Sequence, residues 1–314
     1  MQKNKLSVLM FLLALVVAVG PVSAATVNVD SSMTNAQIQT AITGANAGDT
    51  INFASGTYNG INLTINKALA LVGNGATLVG DGVSILKLSS TTGVSINGFN
   101  ININNPSADG ITGSNVYSCD IENNNITNGD DGINIYMLYA NLTINNNKIT
   151  NMNDARDGIS LVNHATTIDM DSFIPSTITN NVVDSLQYGI FLGGNFKGTV
   201  SGNNITNSPY GMTITGKNAA TNGQLSATIS NNNITGIAME SPDVLYLNLD
   251  NNNISQLNST GYSILTNAYF AVDPSIAISV TNNAFSYPVT DTFHDDAGLY
   301  GEWSGNTLNG SPYT

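Results

Sequence analysis

The chain has little positive charge and few reactive side chains. Its 314 residues include eight lysines and arginines, two histidines, one cysteine and one tryptophan. Acidic residues number 21, and the formal net charge is −13. That imbalance argues against nucleic acid and anionic lipid as partners, because both bind through clustered Lys and Arg. A single cysteine, Cys119, excludes an intrachain disulfide. It lies two residues before Ile121 and reads as a small buried hydrophobe rather than a nucleophile. No Cys/His set exists for a zinc site.

Long apolar runs are also missing, with one exception at the start. Lys3 and Lys5 precede the apolar stretch Leu6 to Gly20, and Val22-Ser23-Ala24 supplies small residues for cleavage. Residues 1–24 therefore read as a secretory signal peptide. Its removal takes away two lysines and moves the formal charge from −13 to −15. No later run is long enough to span a membrane. The expected location is secreted or cell surface.

What the sequence does contain is asparagine in a fixed pattern: apolar, any, Gly or Asn, Asn, any, apolar. It starts at Leu71, Ile96, Ile121, Ile144, Ile178, Val200, Ile229, Leu249, Val280 and Trp303, mostly 20 to 25 residues apart. Self-similarity at this period means a solenoid. The third position is always Gly or Asn, the residues that tolerate a left-handed backbone, so each copy reads as strand, one-residue bend, strand. The fourth is Asn in every copy except at Phe99, which predicts a column of stacked amides. The expected fold is all-β: a single right-handed parallel β-helix of about ten coils, a rod of roughly 45–50 Å at one strand spacing per coil. Residues 59–314 would form it. Residues 25–58 would cap it, with a short helix opened by a Thr34/Gln37 capping box and burying Ile38 and Ile42. After Leu308 only six residues remain. Either they fold over the end, or the final coil stacks on a partner or on a second copy of the chain.

A second signal is Gly before alternating apolar residues, at Gly110, Gly132, Gly158, Gly189, Gly211 and Gly261. Aligning the coils puts Asp109, Asp131, Asp157, Tyr188 and Tyr210 in one column, each just before such a glycine. Asp before Gly is ordinary turn chemistry. It is also where a pair of carboxylates could work on a sugar.

The helix, "AGDTINFASGTYNG", "LALVGNGATLVGDG" and the NNNI-type coils together resemble the pectate-lyase-like β-helix superfamily, and most closely the adhesin-like surface proteins of methanogenic archaea. The resemblance spans nearly the whole chain after the signal. It implies fold more than function, because this fold hosts lyases, hydrolases, epimerases and inert adhesins. Polygalacturonase-type glycosidases carry N-T-D, then D-D, G-H-G and R-I-K. Here "SAD" ends in Asp109, Asp130-Asp131 follow one coil later, "RDG" stands for G-H-G, and "NFK" ends in Lys197. The resemblance thus implies Asp109, Asp130, Asp131 and Lys197 as catalytic candidates, with Arg156, Tyr188 and Tyr210 binding. A pectate-lyase analogue would place calcium on Asp130, Asp131, Asp154 and Asp157. His294 beside Asp295 and Asp296 is a lesser cluster. Sequons occur at Asn62, Asn125, Asn141, Asn204, Asn233, Asn253, Asn258 and Asn309, half of them products of the coil motif. The expected function is a non-catalytic, adhesin-like scaffold contacting a polysaccharide or glycosylated surface. The alternative is a polysaccharide hydrolase or lyase using the Asp cluster, and no cofactor beyond calcium is implied.

Overall fold

The computed structural model describes residues 23–137, 141–150, 152, 157–163, 170–185, 187–216, 223–240, 243–257, 261–266, 277–289 and 301–314. The chain winds as a β-solenoid. Each coil contributes a strand to sheet A, bends, adds a strand to sheet B, turns a corner and adds one to sheet C. Sheet A has twelve strands, from Thr26–Val29 to Gly301–Ser304. Sheet B has twelve, from Thr57–Ile61 to Ser311–Pro312, and sheet C nine, from Leu63–Ile65 to Ile264–Thr266. Pairing between coils is parallel and in register. In sheet A, Ile121, Ile144, Ile178, Val200, Ile229, Leu249 and Val280 stack one on another. All seven are buried.

The bend between sheets A and B is where the asparagines act. Its first residue is left-handed, with φ of 57° at Asn123, 54° at Asn146 and 66° at Gly202, and so on along the rod. The next residue turns its amide inward. Asn124, Asn147, Asn181, Asn203, Asn232, Asn252, Asn283 and Asn306 form one buried column. In each link the backbone N–H and Nδ2 of one Asn both donate to Oδ1 of the next, at 2.9–3.1 Å. Nδ2 also donates to a carbonyl of the preceding coil, as from Asn203 to Ile178 at 2.9 Å. Every amide atom is therefore used.

Two expectations need correction. Asn74 is outside the column. The first copy carries two extra residues, so Leu78 rather than Ala76 pairs with Ile101, and Asn74 (φ 48°) stands exposed, bonded to Asn52 and Phe53. Gly261 is outside the glycine series, with open space around it. Gly236 takes the next place after Gly211, accepting from Met212 N–H. The series itself answers to crowding at the corner between sheets B and C. A Cβ at Gly132 would lie 2.5 Å from Ile149 Cγ2 and 2.7 Å from the Gly158 carbonyl.

Both ends are covered. Helix α1, Asn35–Gly44, begins with the Thr34/Gln37 capping box and buries Ile38 and Ile42. From it, Gln39 both donates to and accepts from the Thr64 backbone, closing the free edge of sheet C. At the other end the chain turns back at Asn309-Gly310 and pairs Ser311–Pro312 antiparallel with Thr307–Leu308. Both turn residues have positive φ, 52° and 79°, as a two-residue hairpin with Asn-Gly requires. Tyr313 then packs edge-on against Trp303 and Phe285.

Replacing Asn203 or Asn232 with Ala should lower stability in chemical denaturation by about 1–3 kcal/mol, since buried partners on both neighbouring coils lose their bonds. Asn74→Ala should change it by less than about 0.5 kcal/mol, as expected of a surface position. Gly132→Ala should cost about 1–3 kcal/mol through overpacking, with no φ strain involved.

Candidate functional site

The corner before sheet C brings the predicted column together. Asp157 pairs with Tyr188, and Tyr188 with Tyr210. Below them the carboxylates are linked through the backbone. Asp109 N–H donates to Ser84 Oγ (3.3 Å), Asp131 N–H to Asp109 Oδ1 (3.2 Å) and Asp157 N–H to Asp131 Oδ1 (2.9 Å). Asp109 and Asp131 thus each cap the coil above. Asp131 is only 5% exposed, and its second oxygen accepts from Asn134 Nδ2 at 2.6 Å. Burial, and then the charges of Asp157, Asp109 and Asp130, push its carboxyl up to about 7. Asp130 sits half-buried beside it.

The other predicted site residues are scattered or undescribed. The Tyr188 and Tyr210 rings lie with centroids 5.1 Å apart and planes tilted by 33°, and burial pushes the Tyr188 phenol up. Lys197 lies on sheet A, beyond the strand Tyr188–Gly194, and its Nζ donates to the Met170 carbonyl. A strand of that length puts it on the order of 20 Å from the carboxylates. Asp154, Arg156 and His294 lie outside the described residues. Among the described residues no three His, Cys, Asp or Glu side chains form a set that could hold a metal ion.

Beside the carboxylates runs a groove of about 520 Å³ over the outer face of sheet C. Two rows of outward side chains make its floor. In-register pairing lines up Thr64, Lys87, Thr112 and Asn134 in one row, and Ser89, Ser114 and Tyr136 in the other. Asp109 forms part of its wall. Among the described residues the Lys87 ammonium has no hydrogen bond or ion pair. Asn134 Oδ1 is buried without a donor. On the next coil the same two rows continue as Ser160 and Val162, which are buried (4% and 7% exposed), so the open floor stops there. The column before the glycines drew attention to Asp109 and Asp131; the groove residues were legible only as outward positions of strands such as "LKLS" and "INIYM".

Residues 92–314 match the family described as "Periplasmic copper-binding protein (NosD)". The chain belongs to this family. Among curated proteins none matches the sequence. In three dimensions it is similar to ORF18 of Geobacillus virus E2, with a TM-score of 0.53 and 13% identity over 90% of this chain. The chain spans 59% of the length of that protein. It is also similar to the A-module of the Azotobacter vinelandii mannuronan C-5 epimerase AlgE4, with a TM-score of 0.46 and 16% identity over 90% of this chain and 95% of that one. The Streptococcus pneumoniae surface adhesin PfbA gives 0.33 and 13%, over 82% of each chain. The NosD family is periplasmic by its description, and among the described residues no helix is long and apolar enough to cross a membrane. The signal-peptide segment falls almost wholly outside the described residues, which begin at Ser23.

The raised Asp131 carboxyl has a direct consequence for stability. Its folded pKa of about 7 lies above the ordinary 3.8. The folded state therefore holds a proton that the unfolded state has released, and the contribution of Asp131 is lost as pH climbs through this window. Asp131→Asn keeps the acceptor for Asp157 N–H and removes the charge. It should raise the unfolding midpoint above pH 7, by up to about 4 kcal/mol in stability, with little effect near the acid end of the window. Thermal unfolding across pH checks this.

Proposed function

We propose that this chain is an exported, non-catalytic β-helix scaffold, adhesin-like in role, that holds a glycan in the groove on sheet C. The observation that carries this reading is the state of Asp131. An acid or base acting on a substrate needs an oxygen free to meet it. Both Asp131 oxygens are engaged within the protein, one on the next coil and one on Asn134. That engagement supports reading the carboxylate column as architecture, and the open polar surface lies in the groove beside it. A floor of lysine, hydroxyls, an amide and one exposed tyrosine suits a sugar chain, which offers many hydroxyls and an apolar ring face.

One observation favours the alternative of a polysaccharide hydrolase or lyase. Asp131 holds its proton near neutrality while Asp109 stands at the groove wall, and carboxyls whose environments differ are a familiar acid/base arrangement. Copper is named in the family description, and among the described residues no three His, Cys, Asp or Glu side chains group to hold it. Cys119 is buried, its Sγ donates to the Tyr117 carbonyl, and burial pushes the thiol up. A copper centre draws on thiolate, thioether or imidazole donors, and this thiol is not placed to serve as one.

The deciding experiment passes the exported chain over immobilised neutral and acidic polysaccharides while assaying released product. Retention without product, unchanged in Asp131→Asn, is the expected outcome. Product release that Asp131→Asn abolishes would establish the enzyme instead.

A further inference from the structure

Within the glycan-binding reading above, we infer that the sheet C groove recognises the end of a sugar chain that carries a single carboxylate, with Lys87 as the group that reads it. Three features of the groove lead there.

The first is charge. In a protein of net charge −13, Lys87 is an ammonium set in the floor of the groove with no partner of its own among the described residues. The other lysines described in the body of the fold differ: Lys67 donates to the Thr43 and Ala45 carbonyls and Lys197 to that of Met170. Lys148 lies exposed on sheet B. An unsatisfied ammonium among hydroxyls calls for an anionic acceptor, and a charge-assisted hydrogen bond there is stronger than a neutral one. The surrounding protein limits how much anion is tolerated. Asp109 stands in the same wall with Asp131 behind it. One carboxylate placed at Lys87 is attracted, whereas a polyanion laid along the groove brings further charges against the acids.

The second is length. The open floor runs over four consecutive coils, from Thr64 to Asn134, about 14 Å at one strand spacing per step. Beyond it Ser160 and Val162, the equivalents of Asn134 and Tyr136, are buried. A floor of this length, stopped at Ser160 and Val162, has room for a few sugars at the end of a chain.

The third is the complement of the remaining groups. Ser89, Thr112 and Ser114, which line the groove, can give and take hydrogen bonds with sugar hydroxyls. Tyr136, 49% exposed, offers a ring at the stopped end.

The test measures binding of the full exported chain to three probes: a neutral β-linked glucose oligosaccharide, the same oligosaccharide ending in glucuronic acid, and polyglucuronic acid. The acid-ended oligosaccharide should bind about ten- to a hundredfold more tightly than the neutral one. Lys87→Met should abolish that difference, Lys87→Arg should keep most of it, and neither should move the unfolding midpoint, because the side chain projects from the floor. The polyanion should bind no better than the acid-ended oligosaccharide. Equal binding of neutral and acid-ended probes, a Lys87→Met variant that still discriminates, or tightest binding by the polyanion would overturn the inference while leaving a glycan-binding groove intact. If none of the three probes binds, and the wider polysaccharide panel also fails, the glycan reading falls with it.

Discussion

Every coil must lie one strand spacing from its neighbours, and the buried amide column is the interaction that enforces this. In each link a side-chain oxygen receives two N–H groups from the coil before. The amide nitrogen meanwhile reaches back to a carbonyl on the other side. A shift of half a coil would break all of these at once, with no water available to replace them. Sheet register, the inward rows of isoleucine and the positions of outward residues all depend on that fixed rise. Where the asparagine is absent, at Phe99, the column rests on a cluster of rings: Phe99 meets Phe53 at 5.1 Å, and Phe53 meets Tyr58 at 5.4 Å. Phe99 still gives its backbone N–H to Asn124.

The same spacing forces like residues on to like. Three aspartates at one corner are each held one strand spacing from the next whether or not their charges favour it. The structure meets this by giving carboxylate oxygens to backbone N–H groups of the adjoining coil and by burying the middle acid deeply enough to keep its proton near neutrality. The acids are thereby turned from a liability of the repeat into its fastening. The neighbouring glycines are fixed by crowding at that corner, where the next coil's isoleucine and carbonyl leave no room for a Cβ.

Much of this architecture is legible in the residues alone. Ten motif copies imply the solenoid and eight of the nine asparagines expected in the column, and the Thr34/Gln37 box implies the capping helix, because residue spacing, capping and αL tolerance are local properties. Asn74 went astray because two extra residues in the first bend preserve the letters of the motif and change its geometry. The terminal Asn309-Gly310 hairpin carries a turn signal that a search for coil copies passes over. The column of Asp109, Asp131, Asp157, Tyr188 and Tyr210 was readable from alignment of the coils. Its role was not, since a caught oxygen and a free one look the same in sequence. Lys87 was hidden for a related reason: a solenoid puts dozens of polar side chains outward, and only packing reveals which stretch of floor remains open.

The amide column also has a direction and a starting point. Oxygen always receives from the coil on the Phe99 side, so each asparagine both finishes the coil beneath it and supports the coil above. A gene that gained or lost the segment from one column asparagine to the next, Asn203 to Asn232 for instance, would encode a rod longer or shorter by one coil with every amide still matched. Fractional changes would not heal in this way. On this account a lineage can adjust the reach of the molecule in whole coils past the aromatic base, while the groove on the early coils stays as it is.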